Sequence, residues 1–149
     1  MNKKLTKTSR EIALGKISRR SYTSWELRRA LEKEQVVEAD SLVADFVQQG
    51  YINDAEWLAS FIRTEEAKGQ GPQAIKSKLY TKGIPREEIE TVMASANPKE
   101  AILLAIRKKT HGRSLTAATK QKLIAHLSRR GFSWDLISAQ LHVDPFQEE

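Results

Sequence analysis

Residues 50–84, GYINDAEWLASFIRTEEAKGQGPQAIKSKLYTKGI, decide the fold. A glycine followed by an aromatic residue opens the stretch. Asn53 with Glu56 three positions on then makes a capping box, which satisfies the free amides at a helix start. Trp57, Leu58, Phe61 and Ile62 follow at helical spacing, so one apolar stripe is expected along that helix. The GQGP run ends it. Pro72 suits the first turn of a second helix, where its missing N–H costs nothing, and Ile75 and Leu79 are expected to be buried before Gly83 stops the chain. A second glycine–apolar pair, Gly83-Ile84, closes the stretch. Nothing in it supplies a nucleophile, a metal cluster or a nucleotide loop.

The same grammar extends outward. On the N-terminal side, Gly50 is a left-handed C-cap after a stripe of Leu42, Val43, Phe46 and Val47. Thr23-Ser24-Trp25-Glu26 is a capping box before Leu27, Ala30 and Leu31, and Ile12, Ala13 and Ile17 mark a helix over 9–20. On the C-terminal side, Pro85 opens a short helix with Glu87 and Glu88 in its first turn, favourable to the helix dipole, and Ile89, Val92 and Met93 inward. Asn97 caps a helix carrying Ile102, Leu103 and Ile106. After a polar run, KKTHGRSLTAAT, come Leu123, Ile124 and Leu127 up to Gly131, then Ser133 as a cap before Leu136, Ile137 and Leu141. No alternation of period two is sustained, so the class is all-α.

Leu27, Ile75 and Leu123 stand 48 residues apart, as do Leu31, Leu79 and Leu127, then Gln35, Gly83 and Gly131, then Val36, Ile84 and Phe132. Four positions keeping one offset through three copies indicate three tandem three-helix repeats, expected over 9–52, 53–97 and 98–142. A basic arm, 1–8, precedes them and an acidic tail, 143–149, follows. A unit this small buries little core alone, so an elongated, curved array is expected, with the Trp57/Phe61 helix placed to touch both outer repeats.

Composition narrows the function. Cysteine is absent, which removes disulfides and thiolate metal chemistry. No apolar run approaches the roughly 18 residues of a membrane span, and the basic start leads into no apolar leader segment. A cytoplasmic protein without membrane association is expected. His111, His126 and His142 have no acid or serine at a suggestive spacing. Glu65-Glu66 and Glu87-Glu88 read as helix-surface charge, because adjacent helical residues point apart. GQGP lacks the Lys-Ser/Thr of a phosphate loop. No enzyme, metal or cofactor is expected, and the polar termini offer no dimer seam, so the expected state is a monomer.

The net charge is +6 and the pI about 9.6. Positive charge collects at 1–24 and at 94–133, whereas 25–93 is nearly balanced and 134–149 is acidic. The candidate binding face is therefore Arg28 and Arg29 in the first repeat, then Lys76, Lys78 and Lys82 in the second. In the third it is Arg107, Lys108, Lys109, Lys120, Lys122, Arg129 and Arg130. Such a stripe suits phosphates without base specificity, although cations ending a helix also answer its dipole.

The stretches SYTSWELRRAL, QQGYINDAEWLASFI and KGQGPQAIKSKLYTKGI, with a late RRGF, resemble the RecX family of regulators of the bacterial recombinase RecA. The resemblance runs from about residue 10 to residue 141. It implies three tandem three-helix repeats in a curved, elongated shape. It also implies binding to RecA along the groove of the RecA–DNA filament, with inhibition of ATPase, strand exchange and coprotease functions, and so modulation of DNA repair and the SOS response. Some members also bind DNA, and a general DNA-binding protein acting without RecA is the alternative. No catalytic site carries over. Leu27, Leu31, Gly50, Tyr51, Asp54, Trp57, Phe61, Gly69, Pro72, Ile75, Leu79, Gly83 and Ile84 match as caps, turns and core. The chain departs from the family pattern at Thr64-Glu65-Glu66-Ala67, where basic residues are usual before Lys68.

Overall fold

The computed structural model describes residues 7–142; most of the basic arm and all of the acidic tail lie outside them. Among the described residues the secondary structure is entirely helical, in the order α1 (Ser9–Arg19), α2 (Ser24–Lys33), α3 (Ala39–Gln48), α4 (Asp54–Ala67), α5 (Pro72–Thr81), α6 (Arg86–Ala94), α7 (Pro98–Thr110), α8 (Ala117–Arg129) and α9 (Trp134–Leu141). These are three successive three-helix repeats. By compactness the chain divides within α4, one unit ending at Ala59 and the next beginning at Ser60.

The offset of 48 has a local cause. The Ile84 amide reaches the Leu79 carbonyl and the Gly83 amide that of Tyr80, the paired bonds of a Schellman cap. The same pair recurs as Val36 to Leu31 with Gln35 to Glu32, and as Phe132 to Leu127 with Gly131 to Ser128. Each cap needs a left-handed residue, with φ of 61° at Gln35, 84° at Gly83 and 92° at Gly131. Leu31, Leu79 and Leu127 are fully buried one turn earlier. Helices α2, α5 and α8 thus end in register, and α8 is one turn longer at its start.

In the first unit, Ala13, Leu27, Leu31, Ala39, Leu42, Val43, Phe46 and Ile52 form one core. Tyr51 packs edge-on against Phe46 at 5.6 Å. Asp54 has a larger role than turn residue: its carboxylate accepts from the Ser24 amide at 2.7 Å and from the Ser24 hydroxyl. It therefore places negative charge on the free amides that begin α2 while itself beginning α4. Asp54→Ala is expected to lower the unfolding free energy by about 1–2 kcal/mol. Asp54→Asn, which keeps an acceptor and loses the charge, should lose about half of that in urea titrations.

In the second unit, Ala101, Ile102, Ala105, Leu123, Leu127, Phe132, Ile137 and Leu141 make the core of the third repeat, while Ile62, Ile75, Leu79, Ile84, Ile89 and Met93 are buried in the second. The two repeats meet at glycines. The Gly71 amide donates to the Arg130 carbonyl at 2.7 Å and the Gln73 amide to the Gly131 carbonyl at 3.1 Å. A Cβ on Gly71 would stand 2.7 Å from the Gly131 carbonyl carbon, closer than any side chain permits. GQGP is thus a joint as well as a helix break. Lys108 adds a bond from Nζ to the Ala67 carbonyl at 2.9 Å.

Three expectations of burial need correction. Trp57 and Phe61 are half-buried, and the core positions of α4 are Leu58 and Ile62. Val47 and Leu103 are 47% and 42% exposed, each turned about 100° from the buried Phe46 or Ile102 beside it.

A cationic third repeat as the candidate functional site

The candidate cations divide by what surrounds them. In the first repeat, Arg28 pairs with Asp40 at 2.8 Å, while Arg29 is exposed. In the second repeat, Lys78 is engaged with Glu65, and Lys68 joins the same carboxylate at 3.2 Å. Lys82 lies 5.6 Å over the Phe61 ring. Lys76 is half-buried on the wall of an open groove between α5 and α6, where Tyr80 stands 70% exposed.

Glu65 corrects the reading of Glu65-Glu66 as surface charge: it is only 4% exposed. Burial alone would raise its pKa, but hydrogen bonds from Lys78 and Lys68 outweigh it and hold the carboxyl below the ordinary 4.5. Glu66 behaves in the opposite way, pushed up by burial and then by the nearby Glu100 charge. The Glu65 value is depressed by folding. Its stabilisation is therefore complete above the ordinary carboxyl range and disappears as pH falls through the folded value. Glu65→Gln should be less stable at neutral pH, with a flatter stability profile below about pH 5, as measured by urea unfolding.

The third repeat differs. Arg107, Lys108 and Lys109 close α7, Lys120 and Lys122 lie on α8, and Arg129 and Arg130 close it. Lys108 bonds the Ala67 carbonyl, but no carboxylate among the described residues pairs with these cations, and residues 94–133 contain one acid, Glu100. Burial, then Lys109, Arg130 and Arg129, hold the His126 imidazole below its ordinary pKa. Lys109, Arg129 and Arg130 thus all lie close enough to act on this one half-buried ring.

Beside this cluster, between the end of α7 and the start of α8, lies a cavity of about 280 Å³ edged by Lys109, Arg113 and Lys122. Arg113 and Leu115 belong to the stretch read only as polar. The one sequence signal was Leu115, the single large apolar side chain in 111–116. Among the described residues no three His, Cys, Asp or Glu groups gather to hold a metal ion, and no helix is long and apolar enough to cross a membrane. The arrangement is suited to capturing negative charge on a surface.

Comparison with known proteins agrees with the repeat order. Residues 53–93 match the RecX second three-helix domain and residues 99–141 the RecX third three-helix domain. A regulatory protein RecX from Leuconostoc mesenteroides is 30% identical over 89% of this chain and 52% of its own length. One from Bacillus licheniformis is 29% identical over 92% and 55%; the chain thus spans about half the length of these two relatives. One from Vibrio parahaemolyticus is 30% identical over 91% of both chains. The crystal structure of RecX from Lactobacillus salivarius superposes with a TM-score of 0.74 over 90% of this chain and 92% of that one, at 21% identity, a likeness of fold.

Proposed function

Since this chain belongs to the RecX family of regulatory proteins, we propose that it binds the RecA recombinase. It lodges along the groove of the RecA–DNA filament as a cytoplasmic monomer, needs no cofactor, and inhibits ATPase, recombinase and coprotease activity. DNA repair and the SOS response are modulated as a result. What supports this reading is the succession of two RecX three-helix domains on 53–93 and 99–141. The experiment is a titration of the DNA-dependent ATPase of the cognate RecA. Suppression is expected well below one molecule per RecA protomer, because one bound molecule interrupts many. An ATPase unchanged at a one-to-one ratio overturns the proposal. The double variant Lys109→Glu/Arg129→Glu should inhibit about tenfold less potently, since like charges then face the acidic filament.

A second reading, a DNA-binding protein acting without RecA, is favoured by the cations of the third repeat, which pair with no carboxylate among the described residues. It requires tight DNA binding by the chain alone, falling steeply with salt as counterions are released. A gel shift lost at moderate salt, beside full ATPase inhibition, decides against it.

A further inference from the structure

We propose that the cavity between α7 and α8 is a docking site for an acidic peptide segment that carries one large apolar side chain. Its floor is Leu123, 3% exposed, and its lip is Leu115, 39% exposed. Around that carbon surface stand Lys109, Arg113 and Lys122, and no carboxylate lies among the residues that line it. His111 and Gly112 make this possible. Both are left-handed, with φ of 52° and 75°, and the sharp reversal carries Arg113 and Leu115 to the rim that Lys109 and Lys122 share from the helices. An apolar floor within a cationic rim is complementary to a segment of opposite pattern, one hydrophobic anchor among acids.

A nucleic-acid strand fits this cavity less well. Its phosphates would use the rim alone, and its bases want a broad aromatic face to stack on; no Phe, Tyr or Trp lines the cavity, and His111 offers only an imidazole. The floor is used only by an occupant with an aliphatic or aromatic anchor. Burying such an anchor is worth about a factor of ten or more in affinity. The inference goes beyond the RecA reading and does not depend on it, because the probe is a peptide and no recombinase is present.

The test is fluorescence anisotropy of a labelled peptide, Asp-Glu-Phe-Glu-Asp, titrated with the full chain at moderate salt. A second peptide has serine in place of phenylalanine, and a thymidine oligonucleotide is the third probe. The phenylalanine peptide is expected to bind about tenfold or more tighter than its serine counterpart. Leu115→Asp should abolish that difference, and Lys122→Glu should weaken both peptides. Lys33→Glu, on an exposed position in the first unit, should leave both unchanged. Both 115 and 122 are exposed positions, and circular dichroism with Leu115→Ser as a milder variant confirms that the fold is kept. Equal affinity for the two peptides overturns the proposal, as does a Leu115→Asp chain that keeps the preference. So does an oligonucleotide that displaces the phenylalanine peptide and is itself weakened by Leu115→Asp. Binding seen only after Phe146→Ser assigns the cavity to the chain's own acidic end and overturns a partner in trans. A dimer that Leu115→Asp dissociates assigns it to a second copy.

Discussion

Replacing Gly131 with alanine is expected to lower the unfolding free energy by about 3–5 kcal/mol, a large part of what a small protein has. An added Cβ would sit 2.4 Å from the Ala74 amide nitrogen and 2.8 Å from the Ala74 Cβ. Backbone cannot swing aside as a lysine tip can, so α5 must move. Movement breaks the bonds from Gly71 and Gln73 to the Arg130 and Gly131 carbonyls, each worth roughly 0.5–1.5 kcal/mol. The left-handed backbone, φ +92°, adds about 1–2 kcal/mol of strain for any residue with a side chain. Gly50→Ala is the matched comparison. Its φ is +80° with nothing within 4 Å of the new Cβ, so strain alone acts and the loss should be near 1 kcal/mol. Urea unfolding measures both, and hydrogen exchange at the Gly71 and Gln73 amides should accelerate only in Gly131→Ala. Equal losses in the two variants would exclude the joint as the source.

Lys78→Glu is expected to destabilise by about 2–4 kcal/mol, whatever it does to binding. The substitution sets a second carboxylate against Glu65, whose side chain is 5% exposed, and leaves it Lys68 alone. Breaking a fully buried pair costs more, about 3–5 kcal/mol; the Lys78 side chain is 45% exposed, so solvent screening reduces the loss. Lys78→Gln should cost about 1–2 kcal/mol. Part of the Lys78→Glu loss should return as the pH falls toward 4, because protonation relieves the repulsion. Lys122→Glu, on an exposed position with no carboxylate partner among the described residues, should stay within about 0.5 kcal/mol. Melting curves for these variants separate loss of fold from loss of binding, which activity alone does not.

Most helix starts were legible because a cap is a local event. Thr23, Asn53, Asn97 and Ser133 each accept the amide three residues on, as their sequence positions imply. The three-fold repeat was legible because a left-handed cap after a buried leucine leaves a glycine–apolar mark in the second and third copies, with Gln35-Val36 at the same offset in the first. Contacts made across distance left no such mark. Gly71 and Gly131 are 60 residues apart, and nothing near either says that Gly131 fills the space of a Gly71 side chain, or Ala74 that of a Gly131 side chain. Glu65 and Glu66 are adjacent and chemically alike, yet only the approach of Lys78 from α5 makes one of them buried and paired. Periodicity identified the buried stripe of α4 but not which half of it faces inward, so Trp57 and Phe61 read as core. The cations were legible as residues, and their partners were not: Arg28 and Asp40 meet only because α3 folds back on α2.

The bonds from Gly71 and Gln73 to the end of α8 also bear on the two arginines there. Lysine or arginine at a helix end ordinarily answers the partial negative charge of open carbonyls. Here the amino end of α5 meets the carboxyl end of α8, and amides occupy the Arg130 and Gly131 carbonyls. Part of the electrostatic work of a terminal cation is already done by main chain. Among the described residues no carboxylate takes up the guanidinium groups of Arg129 and Arg130, and their charge faces whatever approaches α8 from outside.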